Sequence, residues 1–247
     1  MQRIEEPRRE DRTRRDGTSA CRIACAALRP LARLAGGVCG AQIFASVATR
    51  EKHVALTVDD GPDPATTPEL LRVLRSYGAR ATFFLIGERA QCHPDLVRRI
   101  VADGHEVANH LMREEASVLL PATEFQRQLA QVHELLTPFG DVAFFRPGSG
   151  LFTVRMLREA ARQGYGCAMG SPLLLVTEYK NPRATGRLLA RRAHPGAIIV
   201  VHEGRESRVA VSAVAHSLLA GLTERHLRSV TLSELTAKRP NPDHSCR

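Results

Sequence analysis

Apolar and polar positions along this chain fall into two alternating kinds of block. Short, mostly apolar runs at Val54–Val58, Ala81–Leu85, Glu106–Asn109, Val142–Phe145, Gly166–Met169, Ala197–Val201 and Ser229–Leu232 have the length and the closing turn residues of strands. Between them lie longer stretches whose apolar residues recur three and four apart. A helix is predicted to open near Thr67-Pro68, to carry Leu70, Leu71 and Leu74 as its stripe and to stop at Gly78. Proline suits a first turn, and glycine ends helices. Helices are likewise predicted over Pro94–Ala102, Ala122–Leu136, Val154–Gln163, Pro182–Ala193 and Val209–Arg225. The second of these aligns Phe125, Leu129, Val132, Leu135 and Leu136 on one face. Strand and helix alternate with no long linker and no short repeat, which predicts an α/β fold with a parallel sheet.

Four of the strands run straight into side chains that chemistry can use: Asp59-Asp60-Gly61-Pro62, His110, Arg146-Pro147-Gly148-Ser149-Gly150 and His202-Glu203-Gly204. In a β/α barrel the carboxyl ends of the strands share one rim, where active sites sit. Neighbouring residues such as Asp59 and Asp60 point to opposite faces of a regular strand; where the Gly61-Pro62 turn ends the strand, both can reach one pocket. Two adjacent carboxylates need a compensating cation to stay charged, and a metal or Arg146 would supply it. Taken alone, Asp-Asp-Gly-Pro is equally a good turn. Glu114 lies four residues after His110, so a helical turn there would put both on one face, able to chelate one ion. At a strand end the Arg146 fork is suited to holding a carboxylate. His202 closes the most apolar strand, where either a structural or a catalytic histidine could stand. His105 is left outside the site.

Composition changes this picture little. The 247 residues fit one barrel-sized domain with a modest extension, and 43% apolar content allows a sizeable core. The formal charge of +9 is carried almost wholly by scattered arginines, since Lys52, Lys180 and Lys238 are the only lysines. No aromatic-interleaved basic patch accompanies them, so no nucleic-acid partner is expected. Six cysteines, Cys21, Cys25, Cys39, Cys92, Cys167 and Cys246, match no zinc or disulfide spacing. Residues 1–40 are expected to be a disordered or weakly structured extension, residues 41–236 the folded domain that carries the candidate site and residues 237–247 a loose tail. The stretch Cys21–Ala48 is too broken for a stable membrane span and makes a poor signal peptide. A strand at Ile43–Val47 is the preferred reading of its end. Cytoplasmic, non-classically exported and cell-envelope locations all stay open.

The residues resemble a known family. Thr57-Val58-Asp59-Asp60-Gly61-Pro62, Ala81-Thr82-Phe83-Phe84-Leu85-Ile86-Gly87, Gly104-His105-Glu106-Val107-Ala108-Asn109-His110, Phe145-Arg146-Pro147-Gly148 and Ile198-Ile199-Val200-Val201-His202 stand in the order and spacing of the polysaccharide deacetylases. That family is also called carbohydrate esterase family 4 or the NodB-homology domain, and the resemblance runs from about Val54 to Leu235. It implies a distorted (β/α) barrel of about seven strands, TIM-barrel-like, that removes N- or O-acetyl groups from sugars with a bound divalent metal. It also implies Asp59 as general base, His202 as general acid and Arg146 as the group orienting the base. Asp60 and His110 would hold the metal, with Glu114 where relatives usually carry a histidine. Zinc is the expected ion, and Mn²⁺ or Co²⁺ gains ground as carboxylate replaces imidazole. Pro147, Gly148, Phe152 and Tyr179 would touch the sugar, with Tyr165 a further aromatic candidate.

Two departures stand out. The family's aspartate that tunes the acid histidine is missing, because no Asp lies between Asp141 and Asp243; Glu178 and Glu203 are the available substitutes. There is no Trp, and Leu151 stands where relatives often place an aromatic. The expected activity is therefore hydrolysis of acetyl groups on a chito-oligosaccharide or cell-wall glycan. A degenerate, non-catalytic carbohydrate binder is the alternative. A glycosidase built on paired carboxylates is weaker, since it leaves His110 and His202 unexplained.

Overall fold

A computed structural model describes residues 40–171, 174–176, 179–204 and 210–237. The readings of residues 1–39 and 238–247, and that of Glu178, lie outside the described residues. Eight strands form one sheet in the order β1-β6-β5-β4-β3-β2-β7, with β8 also paired to β2. They are β1 (Ile43–Phe44), β2 (His53–Gly61), β3 (Thr82–Leu85), β4 (Glu106–Asn109), β5 (Phe144–Phe145), β6 (Gly166–Ala168), β7 (Ile198–His202) and β8 (Arg228–Val230). Every pairing between them is parallel. The ladder does not close on itself. Isolated bridges from Leu175 to Val200 and from Ser46 to Ala197 reach toward closure, so the distorted barrel expected from the sequence is an open one.

Among the described residues, seven helices lie between strands and an eighth follows β8: α1 (Thr67–Ser76), α2 (Gly87–Cys92), α3 (Pro94–Ala102), α4 (Ala122–Leu136), α5 (Val154–Arg162), α6 (Pro182–Arg192), α7 (Val211–Glu224) and α8 (Leu232–Ala237). Helices α3 and α4 have the bounds read from periodicity. Helices α2 and α8 were not read from the sequence, because each has only six residues, too few to show a period. No described helix is long and apolar enough to cross a membrane.

The alternation of side chains along each strand sorts the core into two clusters. Val54, Leu56 and Val58 of β2, Phe83 and Leu85 of β3, Val107 of β4, Phe145 of β5, and Ile199 and Val201 of β7 pack with the helices. Ala55, Phe84, Ala108, Phe144 and Ile198 lie in the smaller cluster on the other face, joined by Leu232 and Leu235 of α8. Small residues on this second face (Ala55, Ala108, Ala168) make room within the curved sheet. Carried forward by twos, that face leads from Ala55 through Thr57 to Asp59, from Ala108 to His110, from Phe144 to Arg146 and from Ile198 through Val200 to His202.

Candidate active site

Four of the expected site residues thus share one side of the sheet by parity alone. Register does the rest: Asp59 pairs with His202 across β2 and β7, Asn109 pairs with Phe145 across β4 and β5, and Arg146 N–H donates to the Asn109 carbonyl at 3.0 Å. Asp60 reaches the same side by another route. The pairing of β2 with β3 shifts between Asp59 and Gly61, leaving Asp60 as an extra residue at φ +68°. Such a bulge re-aims a side chain. It lies within β2, so a bulge in the strand, ahead of the Gly61-Pro62 turn, brings both carboxylates to one pocket.

Asp59 is buried and held from two sides. Arg146 Nη1 donates to its Oδ1, and His202 Nε2 stands 3.6 Å from its Oδ2. The guanidinium is itself fixed. Its Nε donates to the Ala168 carbonyl at 2.7 Å, its Nη1 to Thr57 Oγ1 at 2.9 Å, and its carbon lies 4.0 Å from the centre of the Phe84 ring. Thr57 donates onward to the Ile199 carbonyl at 2.8 Å. Sequence reasoning missed Thr57, although its place two residues before Asp59 signals the shared face.

His202 Nδ1 lies 2.8 Å from the Val176 carbonyl. A carbonyl only accepts, so the proton sits on Nδ1 and Nε2 faces Asp59. A main-chain oxygen therefore occupies the place expected of a carboxylate. Glu203 does not substitute, because it directly follows His202 at the end of β7 and turns to the other side, toward Thr66 and Thr67. Its carboxylate is wholly buried and accepts from Thr66 Oγ1 at 2.9 Å and from Thr67 Oγ1 at 2.9 and 3.0 Å. Burial pushes its pKa up to about 7, against the lowering effect of the two hydroxyls.

Tyr179 also departs from expectation. Its ring is buried, and its hydroxyl donates to the His202 carbonyl at 2.9 Å and accepts from His202 N–H at 2.6 Å. It braces the histidine's backbone instead of offering a face to a sugar. Tyr165 is buried too, its hydroxyl bonded to Asn109 Nδ2 at 3.0 Å and His133 Nδ1 at 2.7 Å. Phe152 is half-buried against the core. Pro147 is buried, and Gly148 packs so close to the Glu115 carbonyl that a Cβ would lie 2.1 Å from it. Leu151 is 42% exposed on the same loop.

On the other half of the site, His110 Nδ1 lies 2.8 Å from the Arg146 carbonyl, which again fixes the tautomer. Nε2 then faces Asp60 Oδ1 at 3.2 Å. Burial, the largest influence, lowers the His110 pKa, but the bond to Asp60 and the charges of Asp59 and Asp60 together raise it above the ordinary value. Asp60 and His110 thus fit two donors of a divalent-metal site, with a second hydrogen bond orienting the imidazole. Glu114 does not fit as placed. The helical turn expected to bring it over His110 is absent, since residues 110–116 form a loop with Leu111 at φ +63°, and Arg89 Nη2 donates to its Oε2 at 2.8 Å. No three His, Cys, Asp or Glu side chains converge to hold an ion among the described residues.

The polysaccharide deacetylase family profile matches residues 46–168. A peptidoglycan-N-acetylglucosamine deacetylase of Bacillus cereus is 31% identical over 76% of this chain and 90% of its own. A chitooligosaccharide deacetylase of Sinorhizobium fredii is 35% identical over 63% of this chain and 74% of its own. The crystal structure of a peptidoglycan N-acetylglucosamine deacetylase superposes with a TM-score of 0.72 at 25% identity, over 83% of this chain and 98% of that one. The chain belongs to the polysaccharide deacetylase family.

Proposed function

We propose that this deacetylase hydrolyses acetyl groups, N-linked first and O-linked second, on an amino-sugar glycan such as a chito-oligosaccharide or a peptidoglycan strand. The observation that carries the reading is the Arg146–Asp59–His202 line, in which one buried carboxylate is held by a guanidinium and faces a histidine Nε2 at 3.6 Å. Asp59 accepts the proton of the attacking water, and its fixed charge orients that water. His202 acts as the imidazolium: with Nδ1–H held on the Val176 carbonyl, it delivers a proton from Nε2 to the departing nitrogen, and the proton taken by Asp59 then returns to that Nε2. The amide C–N bond breaks, and acetate and the free amine leave.

Asp60 and His110 would hold a divalent ion, zinc first and Mn²⁺ or Co²⁺ next, with Glu114 the third donor that the sequence suggests. Such an ion supplies Lewis-acid polarisation of the acetyl carbonyl. Around it, this chain's residues bind the sugar beside Gly148 and Phe152, hold the Asp59 carboxylate in place through Arg146 and keep the His202 Nδ1–H on the Val176 carbonyl.

Acetate release from acetylated chito-oligosaccharides and peptidoglycan fragments, with and without chelator, tests the reading. Release that chelator abolishes and added Zn²⁺ restores is expected. The engagement of Glu114 by Arg89 favours one rival, a carbohydrate binder without catalysis. Retention on these glycans with no acetate release under any metal would establish that rival.

A further inference from the structure

One charged side chain at the strand ends has no part in the proposed chemistry. Arg89 stands on α2, immediately after β3. Its Nη1 donates to the Asp60 main-chain carbonyl. Its Nη2 donates to Glu114 Oε2 at 2.8 Å and to the Gly204 carbonyl at 3.0 Å. A single guanidinium thereby ties together the ends of β2 and β7 and the loop after β4.

The fold builds this placement. Gly87 and Glu88 N–H groups donate to the Leu111 and Met112 carbonyls at 2.9 and 3.0 Å, stitching α2 to the loop that carries Glu114. Gly87 allows the approach, since a Cβ there would lie 2.3 Å from Met112 Sδ and 2.7 Å from Val132 Cγ2. Consecutive residues then pair across the seam with their charges exchanged: Glu88 with Arg113 at 2.7 Å and Arg89 with Glu114 at 2.8 Å. On the far side Gly204 sits at φ +83°, and a Cβ on it would fall 1.5 Å from Arg89 Nη1. The backbone at Gly204, just after β7, thus leaves room for the guanidinium.

We propose that Arg89 is an internal competitor for the divalent ion: it occupies the Glu114 carboxylate, so that an incoming ion meets Asp60 and His110 alone. Glu114 becomes a ligand only when Arg89 releases it. A guanidinium stays charged across the accessible pH range, so the competition is permanent. It sets a low metal affinity and ready exchange of the ion. The inference rests on the metal reading above, and its test separates the two.

Zn²⁺ affinity is measured by calorimetry and by competition with a chromogenic chelator on the metal-stripped full chain and its variants. Asp60→Asn should abolish binding. Glu114→Gln alone should leave affinity within about threefold of wild type, since a carboxylate already engaged contributes little. Arg89→Gln should tighten binding by roughly tenfold, the size expected for releasing one charge-assisted hydrogen bond. The Arg89→Gln/Glu114→Gln double variant should return to wild-type affinity.

A loss of tenfold or more in Glu114→Gln alone would mean Glu114 is already a ligand and would overturn the proposal. So would an Arg89→Gln variant that binds no tighter, or a gain that survives in the double variant. Should Arg89→Gln fail to fold by circular dichroism, the Glu114→Gln result decides alone. Zinc binding by none of these proteins, or binding indifferent to Asp60→Asn, sinks the metal reading and this inference with it.

Discussion

The two halves of the site treat their charges differently. Around Asp59, carboxylate and guanidinium are both almost sealed from solvent, with side-chain exposures of 4% and 3%, and every partner comes from a strand or from the chain directly beside one. Around Glu114 the equivalent pair is exposed by 21% and 26% and joins a short helix to a loop. An ion pair withdrawn from water is costly to break, because one charge is then stranded, whereas a wetter pair contributes little and exchanges easily. The half that holds Asp59 is thus built to stay fixed. The half suited to a cation is built to be negotiable.

Breaking the sealed pair should give the largest effect. Arg146→Gln leaves Asp59 buried without its cation and should cost about 3–5 kcal/mol in chemical denaturation. A loss below 1 kcal/mol would place the two halves on an equal footing.

Next comes Glu203, whose carboxyl anchors the chain behind the Asp60 turn through Thr66 and Thr67. Its pKa is raised from 4.5 to about 7 by burial, so the folded state binds the proton more tightly than the unfolded one. The stability it contributes is full below pH 4.5 and is lost as pH rises toward 7, by roughly 3 kcal/mol over the whole window. Glu203→Gln should lack that decline, so its stability relative to wild type should climb across this window. Parallel curves for the two proteins would refute the assignment.

Asp59→Asn, assayed where it remains folded, should lower turnover by about 100-fold or more while zinc affinity holds. Loss of zinc instead would mean that Asp59 and Asp60 have exchanged roles. The smallest effect belongs to the wetter pair. Arg89→Gln should change stability by about 1 kcal/mol or less, even as it alters metal affinity.

Much of this is legible in the sequence itself. Asp59, His110, Arg146 and His202 each follow an apolar strand, and alternation alone puts them on one face. The same alternation excludes Glu203 from the site, a conclusion open to anyone counting from Ile198. What the sequence did not disclose depends on backbone outside regular elements. Glu114 was placed by helical spacing, and a positive φ at Leu111 defeats that spacing. The Val176 carbonyl that supports His202 belongs to the main chain, so no residue type announces it. Tyr179 and Tyr165 looked like sugar platforms because aromatics are scarce here, and both hydroxyls instead found partners in the interior. Arg89 was one arginine among many, in a helix too short to detect.

The extruded residue in β2 carries a last consequence, for how this position can vary. Left-handed backbone at Asp60 is accessible to glycine and, among other residues, most readily to asparagine and aspartate, whose short polar side chains suit it. Conservation of charge and conservation of shape therefore part company there. Glutamate would keep the carboxylate and lose the backbone, and asparagine would keep the backbone and lose the carboxylate. In a saturation library selected for folding alone, asparagine should survive at this site and glutamate should not, the reverse of what a table of chemical similarity ranks.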